Sequence, residues 1–527
     1  LNPATDPLSW LTRAHGPPAW ILAYALIAIP FAIGLLRGKA PAVKLALFPM
    51  LALPITALAV LFVAMLRDSL VRWAAGLLTA RSFEMTGLVV LMLFGYLGGL
   101  AAARVKPDLT HKRGTRIEDG TRLQRKPRRQ GGQGRAITIA GIPIPPTDEA
   151  KHFKMVGTTG TGKSTAIREL LDGALSRGDR AVIADPDGGY LNRFYDPGRG
   201  DVILNPFDTR AHTWNLYGEL NQTHDVEQLA RSLIPDHDGA DRSWRGYART
   251  FLTAVVRQTN DAGIKDLAEL YRLLTSASTD ELRILTQGTP AQPFLEGGNE
   301  RMFGSIRSVT GASLTALDYL STQQGPPLAV RDWVRSGRGV LFLPYQANEI
   351  AALRSIISAW LRLAIFQTMT GGEGDQRLWC VVDELDALGP IDGLKDALAR
   401  LRKFGGRCVL GFQSIAQVSS TYGHGEAQTI VENCSNTLIL RCSASENGGT
   451  ARFASKLIGE REVIRPTVSR TRRSGLFVEP HRSVSRGEQH VTESAVLPAE
   501  VEQLPDLSGY LKFASHPAWL RIRLDLN

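Results

Sequence analysis

The stretch FKMVGTTGTGKST, Phe153–Thr165, decides how the rest of the chain is read. An apolar strand leads into it, Gly157, Gly160 and Gly162 bend it, and a helical pattern runs from Ser164 to Leu175. Gly157, Gly162, Lys163 and Ser164 satisfy GxxxxGK[ST], and the flanking strand and helix are the context that separates a phosphate cradle from a chance match. The spacing has a physical cause. Glycines let the loop turn its N–H groups inward around phosphate oxygens, and the helix that follows aims its positive dipole end at the anion. On this reading Gly157, Thr158, Thr159, Gly160, Thr161, Gly162, Lys163, Ser164 and Thr165 hold ATP. Lys163 meets the β- and γ-phosphates and the Ser164 hydroxyl takes a position on Mg2+.

Such a cradle needs an acidic partner on a neighbouring strand. LWCVVDE, Leu378–Glu384, supplies it: an apolar run that ends in two carboxylates. Asp383 is placed to hold Mg2+ through water and Glu384 to polarise the attacking water. Further short β-rich runs at 180–184, 202–204, 339–343, 408–411 and 437–440 alternate with helical stretches at 350–369, 393–404 and 427–431. That alternation predicts an α/β fold, a parallel sheet covered on both faces. Gln413, just past the 408–411 strand, reads either as an ordinary capping glutamine or as a side chain that senses a γ-phosphate. Arg400, Arg402, Lys403 and Arg407 crowd the approach to that strand. They read either as a solvated helix face or as the source of an arginine finger for a neighbouring subunit.

Working outward, residues 209–330 interrupt the sheet pattern with amphipathic helices at 225–233, 244–259, 267–275, 279–287 and 302–320, predicting an inserted all-α domain. Trp244 and Phe251 read as its core, and His237 between Asp236 and Asp238 reads as a polar loop. The Arg- and Ser-rich segment 465–486 reads as a mobile loop. Strand-like runs at 509–514 and 519–524 close the chain. Cys380, Cys408, Cys434 and Cys442 form no CxxC pair and no zinc spacing, so reduced, buried thiols of a cytosolic domain are expected.

Three uncharged runs open the chain: 14–36, 45–66 and 85–103. Each is about the ~20 residues a helix needs to cross a bilayer, giving two or three spans within residues 1–104. The formal net charge is +10, and 104–135 carries eleven Lys or Arg against three acids, a net +8 that nearly accounts for it. This basic juxtamembrane stretch is expected on the cytoplasmic side. The chain opens at Leu1 rather than Met, so a missing or processed extreme N-terminus is expected.

The ordered phrases resemble TraD-type coupling proteins of type IV secretion and conjugation, in the FtsK/HerA-like P-loop superfamily. They are His111-Lys-Arg-Gly-Thr-Arg116, Arg180–Asp185, Phe194-Tyr-Asp-Pro197, Ile203-Leu-Asn-Pro206, Arg331-Asp-Trp333, Arg402-Lys-Phe-Gly-Gly406, Gly411-Phe-Gln-Ser414 and Leu504-Pro-Asp-Leu507. The resemblance runs from about 105 to 526. It implies a RecA-like nucleotide-binding domain at 151–208 and 331–527, begun in 105–150, with 209–330 inserted. It also implies a homohexamer on the bacterial inner membrane, multi-pass, with the ATPase domain cytoplasmic. Its work would be to receive the relaxase–DNA complex, or relaxosome, and drive single-stranded DNA into the secretion channel. Partners are then single- and double-stranded DNA without sequence specificity, the relaxase, channel proteins and the membrane. Arg402 matches the family arginine that reaches a neighbouring site. Two alternatives stand beside this: a receptor for effector proteins with secondary ATPase activity, and a non-conjugative FtsK/HerA-like translocase. An ABC-type ATPase is excluded, because no LSGGQ-like stretch precedes Leu378.

Overall fold

The computed structural model describes residues 17–37, 45–57, 92–100, 110–123, 136–236, 241–372, 377–445, 448–475 and 478–525. His237, much of the second and third uncharged runs and most of the 104–135 basic cluster lie outside them. The chain divides into two compact units, 1–112 with 463–491, and 113–462 with 492–527.

The larger unit is built on a ten-stranded sheet. Its strands in chain order are β1 (Ile117–Asp119), β2 (Phe153–Val156), β3 (Arg180–Pro186), β4 (Val202–Ile203), β5 (Val340–Tyr345), β6 (Leu378–Val382), β7 (Gly406–Phe412), β8 (Asn436–Ile439), β9 (Ser508–Lys512) and β10 (Trp519–Arg523). In space they run β1-β10-β9-β8-β2-β7-β6-β3-β5-β4. From β8 to β4 every neighbouring pair is parallel. The expectation of a parallel sheet needs correcting at the other edge, where β8–β9 and β9–β10 are antiparallel. The short connection between β9 and β10 can only make a hairpin, since a parallel return needs a crossover of a dozen or more residues.

Alternate residues of the central strands feed two cores. Leu378, Cys380 and Val382 of β6, with Val182 and Ala184 of β3, face one; Trp379 and Val381, with Ala181 and Ile183, face the other. Helix α1 (Lys163–Ser176) covers the second core with Ala166, Ile167, Leu170, Leu171 and Ala174. Helix α2 (Ile350–Thr368) covers the first. It is the one helix among the described residues that passes as long and apolar enough to cross a membrane, yet most of it is buried in this core. Burial on both faces is why these strands read as continuous apolar runs. All four cysteines are free and buried.

Between β4 and β5 the chain forms helices at Asp225–Leu233, Arg242–Asp261, Leu267–Thr275, Thr279–Leu285, Glu300–Ser313 and Thr315–Ser321. The helix expected at 302–320 breaks at Leu314, whose backbone (φ −111°, ψ 16°) leaves the helical region. Phe251 is fully buried there, while Trp244 only packs against the core. The way in and the way out are clamped together. Thr213–Trp214 pairs in parallel with Pro327–Leu328, and the buried Glu219 carboxylate accepts from the Trp214 indole and from the Val330 and Arg331 amides.

The Arg- and Ser-rich segment is a second correction. Instead of a loop it lies in two strands, Glu460–Gly475 and Val478–Ser494, in a three-stranded sheet with Thr110–Gly114. It has no apolar alternation to announce a strand; backbone pairing makes the ladder, and pairing leaves no trace in composition.

In the smaller unit, helix Pro17–Arg37 meets helical residues 92–100 through glycines. A Cβ added to Gly34 would stand 2.4 Å from the Tyr96 carbonyl oxygen, and one on Gly99 would stand 2.2 Å from that of Phe31. Ala28, Phe31, Leu35 and Ala52 are buried together, while Ile21, Ile29, Leu36, Met50 and Leu53 point outward.

His152 ties the start of β2 to its surroundings. It holds a left-handed backbone (φ 51°) and is fully buried. Its Nδ1 accepts the Cys408 N–H at 3.0 Å, so Nε2 carries the proton and donates to the Leu398 carbonyl at 2.9 Å. That network fixes a neutral ring, and burial, with Arg402 and Arg407 adding to it, pulls the pKa down to about 4. The unfolded ring takes up a proton near pH 6.5 and the folded ring does not. Its contribution, roughly 3 kcal/mol, is therefore complete above pH 6.5 and lost as pH falls through about 4. His152→Asn, which tolerates the left-handed backbone, is expected to melt lower than the parent at pH 8 and to close much of that gap by pH 4.5. A gap in Tm that stays constant across the range contradicts this.

Candidate functional site

The glycine loop 157–162 joins β2 to α1 at the C-terminal ends of the parallel strands, where the N–H groups of a helix start are unsatisfied. Gly160 and Gly162 take positive φ, 76° and 115°, which lets the loop fold back before the helix. Its shape is held from four sides. The Gly157 N–H reaches the Phe412 carbonyl at 3.4 Å and the Thr158 N–H the Arg441 carbonyl at 2.9 Å. The Thr161 hydroxyl donates to the Thr158 carbonyl at 2.7 Å, and the Leu507 N–H donates to the Thr161 carbonyl at 3.0 Å. Lys163 curls onto its own loop, donating to the carbonyls of Gly157 (2.5 Å) and Thr158 (3.3 Å). Burial lowers its pKa, with Asp383 and Glu384 opposing.

β7 stands between β2 and β6, so the first turn of α1 reaches across it. The Ser164 hydroxyl donates to Asp383 Oδ2 at 2.6 Å. Asp383 is buried, and its Oδ1 has no hydrogen-bond partner. Gln413 lies where β7 ends, between loop and acids: its amide donates to Glu384 Oε1 at 2.9 Å, and its oxygen accepts the Thr159 hydroxyl at 2.8 Å. Burial first, then Asp383 and Asp386, raise the Glu384 pKa. Gly411 is required for the close approach, since a Cβ there would stand 2.2 Å from the Asp383 carbonyl oxygen.

Thus Gly157 to Thr165, Asp383, Glu384 and Gln413 are brought into one place. Arg402 is not. It is exposed, in a single turn between helix α3 (Leu394–Leu401) and β7. That is the opposite end of β7 from Gln413, about 20 Å at ~3.3 Å per residue. Arg407, one of the four crowded cations, is buried, ion-paired to Glu149 at 3.4 Å and stacked on Trp379, which makes it a core element.

The fold adds groups on which the sequence is silent. The Tyr190 phenol donates to Asp383 Oδ2 at 2.7 Å. Asp185, at the end of β3, accepts the Tyr190 and Leu191 amides, and burial raises its pKa to about 6. The Tyr345 hydroxyl is buried without a partner. The one available signal was the turn-rich Asp185-Pro-Asp-Gly-Gly-Tyr190 after a strand, and nothing in it points to Asp383.

Residues 136–525 match the family model of the type IV secretion-system coupling protein DNA-binding domain. The coupling protein TraD of Escherichia coli K12 is 32% identical over 408 residues, 76% of this chain and 56% of TraD. VirD4, the type IV secretion system-coupling protein of Bartonella henselae, is 25% identical over 341 residues, 58% of this chain and 51% of VirD4. The chain thus spans little more than half the length of these relatives. Among solved structures, unbound bacterial conjugative coupling protein TrwB superposes with TM-score 0.69 at 33% identity, covering 79% of this chain and 94% of TrwB. TrwB in complex with ADP and Mg2+ superposes with TM-score 0.68 at 33% identity, covering 79% and 95%. With the glycine loop, the two carboxylates and the glutamine on one α/β sheet, the chain belongs to the type IV secretion-system coupling proteins.

Proposed function

We propose that this chain is an ATP-hydrolysing motor that couples a relaxase–DNA complex to a type IV secretion channel and drives single-stranded DNA into it. The observation that carries the reading is the 2.6 Å bond from Ser164 to Asp383, which joins the phosphate loop to the acidic strand. The residues fit a magnesium nucleotide. Asp383 keeps one buried oxygen free for it, beside the Ser164 hydroxyl. TrwB, solved with ADP and Mg2+ and with a non-hydrolysable ATP analogue, supports the same ligands. Bound there, magnesium would neutralise phosphate charge. Lys163 would leave its two carbonyls for phosphate oxygens, and the N–H groups of the loop and first helical turn that are not already bonded to carbonyls would fix the chain of phosphates. Glu384, released from Gln413, would orient water and take its proton; Gln413 would report the γ-phosphate to it.

We assign 1–104 to membrane-spanning helices and 105–150 to a basic link and the start of the motor. Residues 151–208 and 331–527 form the RecA-like motor in this assignment, with 209–330 as its insert. Glycine-mediated contact between the amino-terminal helices, with apolar side chains turned outward, supports a bilayer setting. The bacterial inner membrane, with the motor on the cytoplasmic side, fits the basic link. The exposed position of Arg402, far from its own subunit's site, supports head-to-tail assembly into a closed ring, in this reading a hexamer, where it meets the neighbour's nucleotide.

ATPase assays with and without single-stranded DNA test this reading. Hydrolysis should rise with DNA, and the stimulation should fall steeply with salt as phosphate contacts are lost. ATPase without stimulation would favour the effector-receptor alternative. Glu384→Gln should lower the rate about 100-fold or more and Lys163→Ala should abolish it; near-normal turnover by either refutes the site. Arg402→Ala should be inactive alone and partly recover when mixed with Lys163→Ala subunits, whereas no recovery in mixed rings argues against a role in trans.

A further inference from the structure

Asp383 Oδ2 accepts two hydroxyls, Ser164 at 2.6 Å and Tyr190 at 2.7 Å, and only the first belongs to the phosphate loop. The second is fixed with care. Tyr190 is 1% exposed, and its own N–H and that of Leu191 close onto the Asp185 carboxylate at 3.0 and 2.6 Å. Arg168, one helical turn after Ser164 on α1, lies over the ring with its guanidinium 5.6 Å from the centroid. One carboxylate oxygen is therefore saturated while the other, Oδ1, is buried and bare.

We propose that Tyr190 is a positioning residue for the metal-binding carboxylate: its phenol holds the plane of Asp383 so that the bare oxygen stays aimed at the cation accompanying the nucleotide. This rests on the reading of Lys163, Ser164 and Asp383 as the nucleotide site. Ser164 alone would leave the carboxylate pivoting about a single bond. A second donor from the turn after β3, itself braced by Asp185 and Arg168, removes that freedom. Partners of this kind, which touch a ligand rather than the metal, change metal affinity by about 10- to 100-fold when lost.

Tyr190→Phe isolates the hydroxyl, because the ring, its stacking with Arg168 and both amide bonds to Asp185 are retained. The readout is binding of a fluorescent ADP analogue to the full chain, titrated with Mg2+ and repeated in EDTA, beside a melting curve without nucleotide. The Mg2+ midpoint should rise about tenfold while affinity in EDTA and the melting temperature stay at the parent's values. An unchanged midpoint, or an equal loss of binding in EDTA, overturns the positioning role while leaving the nucleotide site intact. Failure of the unsubstituted chain to bind the analogue at all overturns both.

Discussion

One hydroxyl-to-carboxylate bond, Ser164 to Asp383, organises this molecule. It spans two segments more than 200 residues apart, and it forms only because parallel strands end together. In a parallel sheet every loop after a strand opens at the same edge, and there the N–H groups of helix starts have no intrahelical partner. The glycine loop, the acid pair, Gln413 and the Asp185 turn all emerge at that edge. The insertion of β7 between β2 and β6 sets the remaining distances, because it places Gln413 between the glycine loop and Glu384.

The charge balance of the site follows from the same crowding. Burial raises the pKa of Asp185, Glu384 and Asp386; the Asp383 charge adds to the shift of Asp185, and the Asp383 and Asp386 charges add to that of Glu384. Lys163 is the cation set among three of them, and burial weakens its charge. Such a surplus of buried negative charge is costly unless a further cation enters. A divalent ion arriving with a nucleotide meets that need. At the other end of the same strands, His152 is held neutral and Arg402 stands in solvent.

Much of the fold was legible because its signals are local. Each central strand announced itself as an apolar run, since both faces are buried, and the helices of the insert showed their period. Signals that depend on partners were not legible. The antiparallel edge depends on which strands become neighbours. The β-arm at 460–494 is made by backbone pairing in a polar, arginine-rich stretch. Leu314 breaks a helix at a residue whose propensity favours continuing it.

For the proposed site, the sequence by itself singled out the glycine loop, Asp383, Glu384 and Gln413, because a phosphate cradle and its acidic partner call for those residue types at those spacings. Tertiary structure alone decided that they converge, that Tyr190 and Asp185 brace them, that Arg407 is core, and that Arg402 lies too far away to serve its own subunit. The reason is geometric. Residue type and spacing are properties of a segment, whereas a contact across strands depends on their order in the sheet, which no single segment encodes.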